Sequence, residues 1–423
     1  MRGPRSNRDE RWWPPDREVG EWAAGGVMAL TGRETEPPLG PPAGLVRKLH
    51  GIADDIARIT ERLGRPVTID PVALLGERAA IAGLARTGDV SCGGAARLVR
   101  STDGWIAVSL ARLDDVELVP AWLERGCGDD VWDAIRDSAG TRFAADLVGR
   151  GRMLGLPIAA LPTEHVGGGN SAFLGPARCV PIVGPTPAEK RLEDMVVADL
   201  SALWAGPLCG AVLAAAGANV VKVESTARPD GGRHGPPAFF DLLNGTKRSV
   251  AVDFAGAEGR RVLRELLGRV DVVIEASRPR ALEQLGIDAR SLVTGGGPRV
   301  WVSITGHGRH GQEREWVAFG DDAAVAGGLV VWDDLGPCFC ADAVADPATG
   351  LVAAAAVLEA LAGGGRWLLE ISLAGVAGAL AGRTLSAAGT TGLHAPRARR
   401  AVRTAPCLGA DTDTVLADLG IGA

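Results

Sequence analysis

The sequence lacks any apolar run of about 18 residues free of charge or glycine, the length a membrane-spanning helix needs, and Met1-Arg-Gly-Pro-Arg-Ser-Asn-Arg-Asp leads into no signal-peptide core. No membrane association and a cytoplasmic location are therefore expected. Lysine is scarce, with four residues in 423, and the net charge of −6 with a pI near 5.7 provides no basic face for nucleic acid or an anionic membrane. Small-molecule chemistry is left as the default. The seven cysteines are odd in number and scattered through a long chain, which suits reduced thiols better than a disulfide framework. Cys338-Phe-Cys340 is the single close pair; two ligands cannot close a zinc site and no histidine stands beside them, so no metal is expected. Neither a Gly-x-x-x-x-Gly-Lys-Ser/Thr loop nor a Gly-x-Ser-x-Gly elbow occurs, which argues against phosphotransfer and serine hydrolysis. Aromatic residues amount to 4% of the chain, which leaves the size and shape of any substrate open.

What is present is an α/β pattern. Short apolar runs at Val196–Leu200, Val220–Glu224, Val250–Asp253, Val272–Glu275, Val300–Thr305 and Trp367–Leu373 alternate with helical stretches at 208–216, 257–268 and 351–362. This predicts a Rossmann-like parallel sheet with helices on both faces, and ligands gathered at the strand C-termini. In the first βαβ unit, Pro207 suits a first helical position and Gly206 allows close backbone approach, so the helix N-terminus is a candidate anion site. Glu224 ends the second strand where a dinucleotide enzyme keeps its ribose-binding acid. Against a nicotinamide site, Ala205-Gly-Pro-Leu-Cys-Gly210 has two of the glycines needed, and Pro207 removes an N–H that would face the pyrophosphate. Asp346, in Ala345-Asp-Pro-Ala-Thr-Gly350, also reads as a helix cap followed by proline.

Several words carry a more specific message: Trp204-Ala-Gly-Pro207, Gly217-Ala-Asn-Val-Val-Lys-Val-Glu224, Asn244-Gly-Thr-Lys-Arg-Ser249, Asp271-Val-Val-Ile-Glu275, Ser303-Ile-Thr-Gly306 and Ala345-Asp-Pro-Ala-Thr-Gly350. In their order and spacing they resemble the family III CoA-transferases, the CaiB/BaiF group. That resemblance implies a transferase moving CoA between an acyl-CoA and a free carboxylic acid, with CoA as substrate and no permanently bound cofactor. It makes Asp346 the nucleophile that forms an aspartyl covalent intermediate, and implies an interlocked homodimer. Gly206, Lys222, Lys247, Arg248, Arg278 and Arg280 become the candidates for CoA binding, and backbone N–H groups at Gly206 to Gly210 or at Gly327-Gly328 the candidate oxyanion donors. The chain departs from the family's usual residues at Trp204, Ser225, Ala276 and Gln284, although Arg278 and Arg280 keep cationic charge in that loop. Phe319 stands where related racemases have histidine, which argues against α-proton exchange. His307 and His310 are read as exposed loop residues. The alternative from a different class is a CoA-binding scaffold or partner subunit of reduced catalytic power.

The organisation differs from the family's, because about 190 residues precede the βαβ opening. Residues 1–44 form a Pro/Gly-rich segment, 45–165 a smaller α/β domain, 166–190 a linker with a triple glycine, 191–375 the Rossmann-like domain and 376–423 the tail. Within the smaller domain, a hairpin strand at 101–108, helices at 129–138 and 141–154, and a strand at 155–160 are expected. A faint repeat aligns residues 22–63 with the segment around Asp346 and sets Arg47 opposite that aspartate.

Overall fold

A computed structural model describes residues 13–163, 177–184, 190–388 and 392–422. The chain starts with four helices, α1 (Pro15–Ala24), α2 (Leu45–Arg62), α3 (Pro71–Leu74) and α4 (Glu77–Ala82). A small unit follows: β1 (Ala96–Arg100), β2 (Trp105–Ser109), α5 (Leu113–Leu123), α6 (Val131–Ala139), α7 (Ala144–Leu154) and β3 (Ile158–Ala160). Its antiparallel sheet, ordered β1-β2-β3, encloses with the three helices a core of Val99, Ile106, Val108, Trp122, Ile135 and Ile158. The expected hairpin, paired helices and strand are all present. Helix α5 goes beyond the expectation, since it carries Pro120 in its interior, where proline ordinarily interrupts a helix.

The large unit runs β4 (Ala177–Val183), β5 (Val196–Asp199), α8 (Ala205–Ala215), β6 (Asn219–Ser225), α9 (Pro237–Asn244), β7 (Arg248–Val252), α10 (Ala257–Arg269), β8 (Val272–Glu275), α11 (Pro279–Gln284), α12 (Ala289–Thr294) and β9 (Val300–Thr305). It continues with α13 (Gly320–Ala326), the hairpin β10 (Val330–Asp333) and β11 (Gly336–Phe339), α14 (Ala345–Gly363), β12 (Arg366–Ser372), α15 (Leu373–Leu380) and α16 (Thr412–Asp418). Seven strands form one sheet in the order β4-β12-β9-β8-β5-β6-β7, parallel except for β4. The α/β expectation holds, with helices α8 and α14 covering one face and α10 and α16 the other. Strand β4 lies within the stretch read as a linker. Its faces are largely exposed and it contains Pro181, which lacks an N–H; such a strand is tolerated at a sheet edge, and the register against β12 slips beside it. The triple glycine at 167–169 lies outside the described residues.

The boundary expected at residue 45 does not separate two cores. Val19, Trp22, Leu49, Ile56 and Leu75 from α1 to α3 pack with Leu208, Val352 and Ile304 of the large unit, so the N-terminal helices complete its face. The small unit rests on this assembly through Leu98 and Ala107 against Val325 and Phe339. Helix α14 is long and apolar enough by composition to cross a membrane, yet it is buried along most of its length between α2, α8 and the sheet. The strand order reverses direction at β5, whose neighbours are β6 and β8. In such a sheet the crevice beyond the C-terminal ends at that point receives ligands.

Candidate active site

Asp346 stands in the first turn of α14. The chain reaches it from β11 through Ala341-Asp342-Ala343, where both alanines adopt left-handed backbone, with φ of 58° and 45°. Two such residues in three positions are strained, and strain of this kind persists only where surrounding contacts over-determine it. The helix starts at Ala345, so Asp346 is its second residue, not its cap, and the Asp346 N–H donates to Ala343 O at 2.9 Å. Pro347 fits because the third N–H of a helix has no internal partner. One turn on, a Cβ added at Gly350 would lie 2.7 Å from Ala205 O, so this glycine is required by the close approach of α14 to α8.

The Asp346 carboxyl is half-buried and lies against the start of α13. A Cβ added at Gly320 would come within 2.4 Å of Asp346 Oδ2, which makes the missing side chain part of the recess. The next two residues are acids, Asp321 half-buried and Asp322 fully buried. Asp321 accepts from the Ala343 N–H at 3.1 Å, and Asp322 accepts from the Phe319 N–H and the Ser109 hydroxyl, each at 2.9 Å. Asp342 accepts a two-pronged contact from Arg78, at 2.8 Å from Nε. Burial raises Asp346 to about 7; Arg78 opposes that rise, while Asp321, Asp322 and Asp342 add to it. Burial likewise raises Asp321 and Asp322 to about 7. Asp322 Oδ2, Thr349 Oγ1 and Trp204 Nε1 are buried with no hydrogen-bond partner among the described residues. Chemically, the recess holds a carboxyl that can exchange its proton near neutrality and is not tied down by hydrogen bonds to its own side chain among the described residues.

The other sequence candidates fare differently. Gly206 makes room for Ser201, since an added Cβ would sit 2.1 Å from Ser201 Cβ; the close approach is to the chain itself. Lys222 pairs with Asp230 at 2.7 Å and donates to Ser201 O, and Lys247 pairs with Asp199 at 2.7 Å and donates to Pro207 O and Asn244 Oδ1, both at 2.9 Å. Both ammonium groups are buried and paired with an aspartate, and Lys247 has all three of its donors occupied. Arg248 pairs with Asp418 at 2.6 Å. The N–H groups of Gly327 and Gly328 donate to Ala323 O and Val325 O, so neither is an oxyanion donor. His307 differs from the exposed residue expected: it lies half-buried, edge-on to Trp316 at 5.3 Å, and burial lowers it to about 4, assisted by Arg152. His310 is exposed and meets Glu370 at 2.8 Å. Cys338 and Cys340 are buried.

Arg278 and Arg280 remain available at the C-terminal end of β8. Among the described residues Arg280 pairs with the half-exposed Glu315, at 3.2 Å. Arg278 is lowered by burial and then by the nearby charges of Arg280, Arg112 and Arg228, so four guanidinium groups converge from the loops after β6 and β8 and the start of α5. Arg112 in turn lies over the Phe319 ring, 5.8 Å from its centroid, next to Gly320. Arg112 thus lies beside the residue that precedes Gly320, which borders Asp346. Sequence reasoning singled out neither Arg78 nor Arg112, and no local signal marks them: Arg78 is 264 residues from Asp342, the acid it holds.

The model of CoA-transferase family III matches residues 192–410, slightly more than half of the chain. The chain belongs to CoA-transferase family III. An acyl-CoA transferase of Fusarium pseudograminearum is 33% identical over 192 residues, covering 41% of this chain and 42% of that protein. A succinyl-CoA–D-citramalate CoA-transferase of Chloroflexus aurantiacus is 33% identical over 147 residues, covering 33% of this chain and 37% of its own. The crystal structure of a CaiB/BaiF family protein from Brucella suis shares 32% identity and covers 46% of this chain and 55% of that one, with a TM-score of 0.41. The chain spans less than half the length of these curated relatives. The matched family III region contains Asp346, Gly320 and Arg278, whereas Arg78 and Arg112 precede it.

Proposed function

We propose that this family III member moves CoA between an acyl-CoA thioester and a free carboxylic acid, with Asp346 as the nucleophile. The observation that carries the reading is the Asp346 carboxyl itself: half-buried, raised toward neutrality and held in a recess that a single β-carbon at Gly320 would fill. The carboxylate attacks the thioester carbonyl, forming a mixed anhydride and expelling CoA as thiolate. The thiolate then attacks the aspartyl carbonyl of that anhydride, giving an aspartyl-CoA thioester and releasing the donor's carboxylate. The acceptor carboxylate runs the two steps in reverse and leaves as the new thioester. A covalent intermediate divides one difficult exchange into easier ones. Arg278 and Arg280, with Arg228, are the cations suited to the phosphates of CoA, whereas Arg112 is held by Asp115. In this reading the protein acts in the cytoplasm as a homodimer.

The test uses purified protein with a panel of acyl-CoA donors and carboxylate acceptors, scored by mass detection of new thioesters. Succinyl-CoA with citramalate is the first pair to assay, because those words name the Chloroflexus relative. Asp346→Ala and Asp346→Asn should lower turnover by at least about a thousandfold while the fold is retained. Hydroxylamine added after acyl-CoA should label Asp346 alone. An Asp346→Asn protein with substantial turnover would remove the nucleophile role, and a stable monomer by light scattering would remove the dimer.

A further inference from the structure

Resting on the reading of Asp346 as nucleophile, we propose that Arg78, supplied by the N-terminal helices outside the matched family region, is a positioning residue: its fork on Asp342 clamps the strained turn that carries Asp346, and its positive charge faces a recess otherwise lined by acids. Three observations meet here. Helix α4 is anchored on both sides of the residue pair Glu77-Arg78, with Arg399 Nη2 donating to Glu77 at 2.9 Å and Arg78 Nε donating to Asp342 at 2.8 Å. Asp342 is fully buried and lies between the two left-handed alanines, so the fork grips the turn at its centre. The same turn donates the Ala343 N–H to Asp321 and accepts the Asp346 N–H at Ala343 O, so its position sets that of the nucleophile. Arg78 stays 30% exposed and lies over the Trp204 ring, 5.6 Å from its centroid, at the start of α8. A planar fork of this kind fixes a carboxylate in two directions, which an ammonium does not.

The charged and titratable groups around Asp346 come from every packed element: Asp321 and Asp322 on α13, Asp342 on the turn, Arg78 on α4, and Cys92, whose Sγ lies 3.5 Å from Ala341 O. Arg112 and Arg152 of the small unit act on Asp322. Removing Arg78 takes away the cation that opposes the rise of Asp346, while Asp321, Asp322 and Asp342 remain to add to it. Asp346 must then lose its proton at a higher pH, and the carboxylate needed for attack forms later.

The experiment follows the Asp346 carboxyl directly, by carbon-13 NMR of aspartate-labelled full-length protein with Asp346→Asn for assignment, beside the pH profile of transfer. Arg78→Gln should move the Asp346 midpoint upward by about one to three pH units, and the rate profile with it. Arg78→Lys keeps the charge and loses the fork, so its midpoint should stay near wild type while kcat falls and KM for acyl-CoA holds. A folded Arg78→Gln with the wild-type midpoint, or Arg78→Lys with full kcat, overturns the proposal. Should Arg78→Gln fail to fold, Asp342→Asn, which releases the fork and removes one acid, should lower both midpoint and kcat, and unchanged kcat overturns it. If the wild-type protein transfers no CoA from any donor, the proposed activity fails, while the NMR midpoint in Arg78→Gln still decides whether Arg78 governs Asp346.

Discussion

Two charge clusters lie near the start of helix α8 and are built on opposite plans. Beneath its first turn, Lys247 meets Asp199 and Lys222 meets Asp230, each at 2.7 Å, one cation to one acid. In the other cluster Asp321, Asp342 and Asp346 share Arg78, and Asp322 adds like charge to Asp346. In the balanced cluster, burial pushes Asp199 up, but Lys247 and Lys222 outweigh it and the carboxyl ends lowered. In the unbalanced cluster burial is reinforced by like charge, and Asp346, Asp321 and Asp322 end near 7. A matched pair fixes geometry and has nothing left to give a substrate. A surplus of acids keeps protons exchangeable at working pH, which a nucleophilic or proton-handling carboxyl requires.

The largest effect separating the two plans should come from breaking the balanced one. Lys247→Met leaves Asp199 buried without its partner, and loss of one member of a buried pair costs about 3–5 kcal/mol. Chemical denaturation checks this, and the double variant Asp199→Asn/Lys247→Met should recover part of the loss because the uncompensated charge is gone. Equal destabilisation of single and double variants would show that the pair itself matters less than the space it fills. A Cβ added at Gly210 would lie 3.0 Å from Asp199 and 3.1 Å from Lys247, so that space is already tight.

A smaller effect on stability and a sharper one on chemistry is expected in the acidic recess. Gly320→Ala sets a methyl 2.4 Å from Asp346 Oδ2 and 2.6 Å from Ala343 O, forcing the carboxyl or the strained turn to shift. Turnover should fall by roughly ten- to a hundredfold, as misplacement of a reacting group by about 1 Å does. The unfolding free energy should change by no more than about 1–3 kcal/mol, the usual range for overpacking. Wild-type turnover in Gly320→Ala would mean that the carboxyl works from another position.

The two clusters also mark what a reader of the sequence sees. The parallel sheet was legible because Val196–Asp199, Val272–Glu275 and Val300–Thr305 are short apolar runs between helices, and Asp346 because its flanking word is distinctive. Its exact place was not, since proline after an aspartate suggests a cap, whereas the helix begins one residue earlier at Ala345. Lys222 and Lys247 were picked out as candidates for CoA binding, but their burial and the two aspartates that occupy them are consequences of the packed sheet. Strand β4 was lost behind Pro181 and an exposed surface, and Arg78 behind a separation of 264 residues. Counting from the starts of α2 and α14 sets Val46 opposite Asp346 and leaves Arg47, the residue the faint repeat aligned with it, one position on.

The smallest expected effect is on stability against pH, and its sign distinguishes the clusters. Asp346, Asp321 and Asp322 rise from 3.8 to about 7 on folding, so between those values the native protein holds protons that the unfolded chain has released. Their contribution is fully present below about pH 4 and is lost as the pH climbs through 7. Asp199 is lowered, so its contribution runs the other way, present above its unfolded value and lost toward acid. Replacing Asp346 by asparagine removes one of the raised acids and should stabilise the protein at pH 8 by on the order of 1–3 kcal/mol, with little change at pH 4. Denaturation midpoints at the two pH values check this. A protein in which Asp346→Asn is equally neutral at both would have Asp346 ionising as freely as an exposed aspartate, and the recess would then lack the surplus charge that sets it apart from the lysine pairs below.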